Sequence, residues 1–176
     1  MTELVLLTSN RPMKRLETGF EFEAEEVVGV IEGNRTLLKY DYRTTGNEVS
    51  VDTGIDGQLA DRIIEAFRIT EGFSRYSGTY INCHLFIFFA LNKARSLEGD
   101  AWISQAGEKV GVYDTEVGKP YATSDLNGNV SHSFMGISQR GKGLSVLGYG
   151  GDLTICDTET LLRLYEADAI FEANLD

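Results

Sequence analysis

Two hydrophobic periods divide the chain. Near its start Phe20, Phe22 and Ala24 alternate with Glu21, Glu23 and Glu25, the period-two pattern of a strand with one wet face. Residues 3–8 predict a strand before it. Residues 27–31 and 37–42 predict two more, joined by the turn-forming string Glu32-Gly33-Asn34-Arg35. A turn at Thr45-Gly46-Asn47 leads to a strand over 48–51, which completes a β-meander. The period then changes. Behind Asp56, a candidate N-cap, Leu59, Ile63, Ala66 and Phe67 recur at helical spacing and predict a helix to about Ile69.

From position 85 to 91 every residue is apolar, so this segment must be enclosed, as a buried strand or as a helix surrounded by the domain. The helix formers Ala90, Leu91, Lys93, Ala94 and Arg95, with Asn82 as N-cap, favour a helix that ends near 95–96. A Gly- and Tyr-bearing loop, 72–80, delivers the chain to it. Beyond Ala101 the strand signals return, at 110–113, 119–123, 130–137, 144–147 and 153–156. Turns are expected at Asp125-Leu126-Asn127-Gly128-Asn129, over 139–143 and at Gly148-Tyr149-Gly150-Gly151. Asp157 is predicted to cap a last helix with Leu161, Leu164 and Tyr165 on its apolar side.

Composition narrows the function classes. A chain of 176 residues fits one domain and can bury a proper core. Its formal net charge of −11 excludes nucleic-acid binding through phosphate contacts, which needs a basic footprint; the closest approach to one is Arg140-Gly141-Lys142. No apolar run is long enough to span a bilayer, so no membrane partner is expected. The N-terminus lacks the basic and apolar regions of a signal peptide, which makes a cytoplasmic address the default, a dedicated export route aside. Two cysteines, Cys83 and Cys156, form no disulfide framework.

Candidate chemistry centres on Cys83. Behind an Asn82 cap it would occupy the first helical turn, where free N–H groups and the helix dipole favour a thiolate. The plain alternative is a small core residue. His84 follows directly, but adjacent side chains on a helix diverge by about 100°. His132, at the start of the strand 130–137, is therefore the available base, or else a structural histidine in a sheet. A Cys–His pair needs the thiol at an electropositive helix end and the imidazole on a separate, rigid element.

This order resembles the NlpC-type branch of the papain-like cysteine peptidases. Asn82-Cys83-His84-Leu85-Phe86 stands at the nucleophile. His132-Ser133-Phe134-Met135-Gly136-Ile137, then Arg140-Gly141-Lys142-Gly143 and Leu144-Ser145-Val146-Leu147-Gly148, stand at the histidine strand, loop and following strand. The likeness covers roughly 72–156. His84 departs from the small residue that the family carries after its nucleophile. The family's imidazole-orienting residue has no His, Asn or Gln match over 144–147; Ser145 is the nearest polar candidate and Gln139 the alternative. Tyr76 or Tyr80 could match the family's tyrosine before the nucleophile, in a substrate-binding role. The resemblance implies an α+β fold: a papain-like unit over 71–176, with the nucleophile helix on a small antiparallel sheet, and an N-terminal β-meander extension with its helix over 1–70, together one domain. It implies a cysteine hydrolase, peptidase or amidase, acting on a peptide or amide substrate such as a cell-wall-type peptide. Cys83 would attack, His132 would shuttle the proton and the Cys83 N–H would help to hold the oxyanion. The alternative is an inactive binding or regulatory protein on the same fold.

No cofactor and no metal is expected. The string from Gly136 to Gly143 misses a phosphate-binding loop because Gly143 replaces the required Ser or Thr. Asp52-Thr53-Gly54-Ile55-Asp56-Gly57 begins like a calcium loop, but Ile63 stands where the bidentate Glu belongs. Cys83, His84, His132 and Cys156 lack any short zinc-ligand spacing. The sequence leaves the oligomeric state open.

Overall fold

The computed structural model describes residues 3–15, 17–76, 83–92, 103, 105–147 and 152–175, with 69–76 and 105 as backbone alone. The strands are β1 (Glu3–Lys14), β2 (Glu21–Glu32), β3 (Arg35–Lys39), β4 (Val49–Asp56), β5 (Gln105–Val110), β6 (Pro120–Ser124), β7 (Val130–Gly136), β8 (Lys142–Leu147), β9 (Asp152–Asp157) and β10 (Ala169–Asn174). The α-helices among the described residues are α1 (Gly57–Tyr76), α2 (Cys83–Ala90) and α3 (Thr158–Leu164). The ten strands among the described residues form one antiparallel sheet, in the order β4-β1-β2-β9-β8-β7-β6-β10-β5, with β3 paired to β2 off this path.

This corrects the expected architecture. Among the described residues ten strands stand against three α-helices, so the structure is mostly antiparallel sheet rather than a small papain-like α+β unit carrying a meander. The reason lies in β2. The segments 20–25 and 27–31, expected as separate strands, are one twelve-residue strand. On one side β2 pairs with β1 along its length; on the other it pairs with β9 through Glu25–Ile155 and Glu26–Thr154, then with β3 from Gly29 to Glu32. Such a strand has backbone groups for three partners, and the sheet runs through it without a break. β10 was also unforeseen: residues 169–174 pair with both β6 and β5.

An ion network sits at that junction. Glu26, 6% exposed, meets Arg11 at 2.6 Å and Arg43 at 3.5 Å, and Arg43 also meets Asp152 at 3.0 Å. Arg43 stacks over the rings of Tyr40 and Tyr42, and Arg11 donates to its carbonyl. Burial is the main cause of a raised Glu26 pKa, reinforced by Asp152 and opposed by the two guanidinium groups.

Apolar clusters line the two faces of the sheet. α1 and α2 pack with Leu4, Leu6, Met135, Leu144 and Val146. α3 packs with Tyr121, Phe134, Leu147 and Cys156. Neighbouring residues of β7 and β8 thus fall alternately into one cluster and the other, as strand geometry demands. In α2 Leu85, Phe86, Ile87 and Ala90 are buried while Phe88 and Phe89 pack from its flanks, so the all-apolar run is an enclosed helix. Truncating Ile87 to Ala there would cost about 2–5 kcal/mol. Gly143 lets β8 pass close to β7, since a Cβ at that position would lie 2.3 Å from the Phe134 ring.

Smaller differences concern ends. α1 runs to Tyr76, past the expected Ile69. Asp157 stands at the N-cap position of α3 in extended conformation, yet its side chain makes no capping bond. The Thr158 N–H instead donates to the Gly141 carbonyl. The residues of the supposed phosphate loop are the β7–β8 turn and its flanks, and those of the supposed calcium loop lie mostly in β4.

Candidate functional site

β7 carries two polar residues side by side, and alternation sends them to opposite faces. Ser133 looks toward α2, where its hydroxyl lies 3.0 Å from His84 Nδ1. His132 looks toward α3, where its ring stacks on Tyr165 with centroids 4.2 Å apart and planes 10° from parallel. Ser145, the β8 residue on that face, places its hydroxyl 3.1 Å from His132 Nε2. His132 Nδ1 is buried and has no hydrogen-bond partner among the described residues.

Cys83 opens α2 and is partly exposed. The Ser133 backbone N–H and hydroxyl lie near enough to the sulfur to favour a thiolate, and the first N–H groups of the helix act in the same sense. All of these favour a thiolate, yet burial outweighs them and the thiol pKa is raised. The helix terminus alone predicted a lowered value. What it left out was the packing of α2 against β7, which strips solvent from the sulfur.

Both imidazoles are neutral at ordinary pH. Burial depresses His132 to about 3, with the positive charges of His84 and Arg15 adding to the effect. Burial alone depresses His84 to about 4. Tyr165 has its phenol pKa raised, first by burial and then by the nearby Cys83 charge, so thiol and phenol lie within electrostatic range of each other. Arg15 caps the Tyr165 ring with its guanidinium 5.0 Å from the centroid, and donates to the Leu164 carbonyl. Cys156 lies buried in the α3-side cluster, its thiol pushed up to about 12 by burial and Asp157.

Of the residues singled out from the sequence, the structure brings His132 and Ser145 together. Gln139, the alternative partner, is exposed in the β7–β8 turn. Cys83 lies beside Ser133, the residue next to His132, and no hydrogen bond joins its sulfur to the His132 ring. Tyr76 ends α1 with its side chain outside the description, while Tyr80 and Asn82 lie outside the described residues altogether. Sequence reasoning missed Ser133, Tyr165 and Arg15. The signal for Ser133 was a polar residue two before Met135 on the same inward register; Tyr165 was visible only as part of an apolar helix face. Among the described residues no group of three or more His, Cys, Asp or Glu could hold a metal ion, and no helix is long and apolar enough to cross a membrane.

No protein-family model matches the chain, and no curated protein matches it. Among solved structures it is similar to an NlpC/P60 family protein from Bacillus cereus ATCC 10987, at 14% identity and a TM-score of 0.40. The match takes in 98% of this chain and 63% of that one, so this chain spans less than two thirds of the neighbour's length. The likeness is a weak one.

Proposed function

We propose that the protein is a cysteine hydrolase of the peptidase or amidase type, with Cys83 as nucleophile, His132 as general base and Ser145 as the residue that orients the imidazole. The observation that supports it most is the set of contacts around β7. Ser145 engages Nε2 of His132 and leaves Nδ1 without a partner, while the neighbouring Ser133 lies beside the thiol. With both groups neutral at rest, the pair would work by proton transfer during attack rather than from a standing thiolate–imidazolium pair. In that step the S–H bond breaks, sulfur bonds the carbonyl carbon, and the proton moves to imidazole and then to the departing amine.

The substrate class is a peptide or amide, including γ-glutamyl, isopeptide and cell-wall-type linkages. Tyr76 and Tyr80 are the residues this reading assigns to substrate binding. A panel of such amides incubated with wild-type protein and Cys83→Ala tests it: the variant should lose turnover by on the order of a thousandfold or more. Full activity in the variant would refute the nucleophile.

A second reading is favoured by one observation. A fully buried imidazole with a pKa near 3, beneath Tyr165, is a weak base, and a thiol with a raised pKa is a slow nucleophile. On that reading the chain is a non-catalytic binding or regulatory protein, and no amide in the panel is turned over by the wild type.

A further inference from the structure

We infer that Tyr165 is a movable cover on His132: at rest its ring shuts the imidazole away from solvent, and it swings aside without the sheet unfolding. The inference deepens the hydrolase reading, on which it rests for what the imidazole does once uncovered, by giving that site a closed and an open state. The cover itself stands on contacts that hold whether or not the protein cleaves an amide.

Those contacts differ in kind below the ring and above it. Below, His132 is 0% exposed, its ring stacked 4.2 Å from that of Tyr165, and Ser145 meets its Nε2. Above, Tyr165 reaches the surface half-buried, under the Arg15 guanidinium at 5.0 Å from the ring centroid. Arg15 is tied in turn to Glu17 at 3.1 Å, at the surface, and to the Leu164 carbonyl. Imidazole, phenol and guanidinium thus form a three-layer stack whose outermost layer stands in solvent. Ring faces and a screened ion pair give way far more cheaply than a packed core does. The helix beneath stays put, since Leu161 and Leu164 anchor α3 in the core.

The backbone beside the ring is also predisposed to give. Tyr165 is the C-cap of α3, and the chain closes the helix with the Glu166 N–H on the Arg163 carbonyl and the Ala167 N–H on the Leu162 carbonyl. This closure needs a left-handed residue at 166, where glycine is the usual occupant; here it is a glutamate at φ 51°. Fraying of the turn relieves that strain. The phenol also lies within electrostatic range of the Cys83 thiol, so the cover borders both members of the proposed pair.

Opening changes the chemistry of the imidazole. Burial is the first cause of its depressed basicity, so renewed contact with water restores it. The closed form is then the resting one, and a peptide or amide seated against the bared imidazole holds Tyr165 aside.

Diethyl pyrocarbonate, which acylates neutral imidazole, reads the cover without any substrate. The chain has two histidines, which peptide mass separates, and His84, 1% exposed under α2, is the internal control. In the wild type at pH 7, His132 should be labelled about tenfold faster than His84 or more, at a rate that urea below the unfolding transition leaves unchanged. Tyr165→Ala should raise the His132 rate about tenfold further and leave that of His84 alone, while Tyr165→Phe, which keeps the stack, should match the wild type. Arg15→Gln, a change at the surface, should raise it about two- to fivefold and decides the matter should thermal unfolding show Tyr165→Ala to be misfolded. Equal rates at the two histidines, rising together with urea, overturn the cover, as does a His132 rate indifferent to both Tyr165→Ala and Arg15→Gln. Selective labelling of His132 in a protein that cleaves no amide, with or without Tyr165→Ala, upholds the cover and refutes the hydrolase. Equal labelling in a protein that does cleave amides overturns the cover alone.

Discussion

The molecule buries polar groups in two places and by opposite means. At the junction of β1, β2 and β9, Glu26 keeps company with Arg11, Arg43 and Asp152, and each of these groups has an oppositely charged partner within 3.5 Å. Around β7, His84 and His132 each meet a serine, and burial holds both imidazoles neutral. A carboxylate and a guanidinium can offset their desolvation only by facing each other; an imidazole can shed its proton. The first device ties distant strands together. The second leaves groups that regain charge only when a proton is delivered.

The sharpest way to break this contrast is to remove the central cation. Arg43→Met should cost about 3 kcal/mol, since Glu26 and Asp152 would be left as like charges in a partly buried site, and the stack on Tyr40 and Tyr42 would go too. Urea unfolding measures it; a loss below about 0.5 kcal/mol would mean the network is only an exposed surface feature.

Acid should act on the neutral device next. A histidine whose folded pKa lies below its unfolded value of about 6.5 makes the unfolded state the better proton binder between the two values. The contribution is therefore whole above pH 6.5 and is lost as the pH falls toward 4 for His84 and toward 3 for His132. At pH 5 the loss is about 2 kcal/mol for each imidazole, and His132→Phe should remove its share from the pH profile of unfolding. Glu26 has the opposite sign. Its raised pKa lets the folded state hold a proton that the unfolded state releases, so its contribution is whole below the ordinary carboxylate value and declines as pH rises. Glu26→Gln should accordingly steepen the acid loss of stability; an unchanged slope would contradict the sign given to Glu26.

The smallest effect concerns the His132–Ser145 bond itself. Ser145→Ala should cost about 1 kcal/mol by leaving Nε2 unmatched, whereas Ser145→Ala combined with His132→Phe should cost less than the sum of the single changes. Strict additivity in that cycle would show that the 3.1 Å contact contributes nothing.

Much of the local structure was legible because it follows from period and turn chemistry. The alternation at 20–25, the all-apolar run from 85 to 91 and the strand signals at 119–123, 130–137, 144–147 and 153–156 each correspond to an observed element. Pairing of strands far apart in sequence was not legible. Nothing in residues 20–31 says that one strand serves β1, β9 and β3, because backbone hydrogen bonding is common to every residue type except proline. Asp157 shows the same limit on a small scale: its identity promised a side-chain cap, and a carbonyl from the β7–β8 turn reached the helix end instead.

The order of residues by itself determined which segments could be strands or helices, that Cys83 would begin an apolar helix, and that His132 would open a strand with Ser145 on the next. Only the tertiary structure decided that Ser133 would meet His84, that Tyr165 would cover His132, and that the Cys83 thiol would hold its proton more tightly than a helix start implies. Propensity and periodicity act over a few residues, whereas desolvation depends on what the rest of the chain packs around a group, and here the packing outweighs the helix terminus.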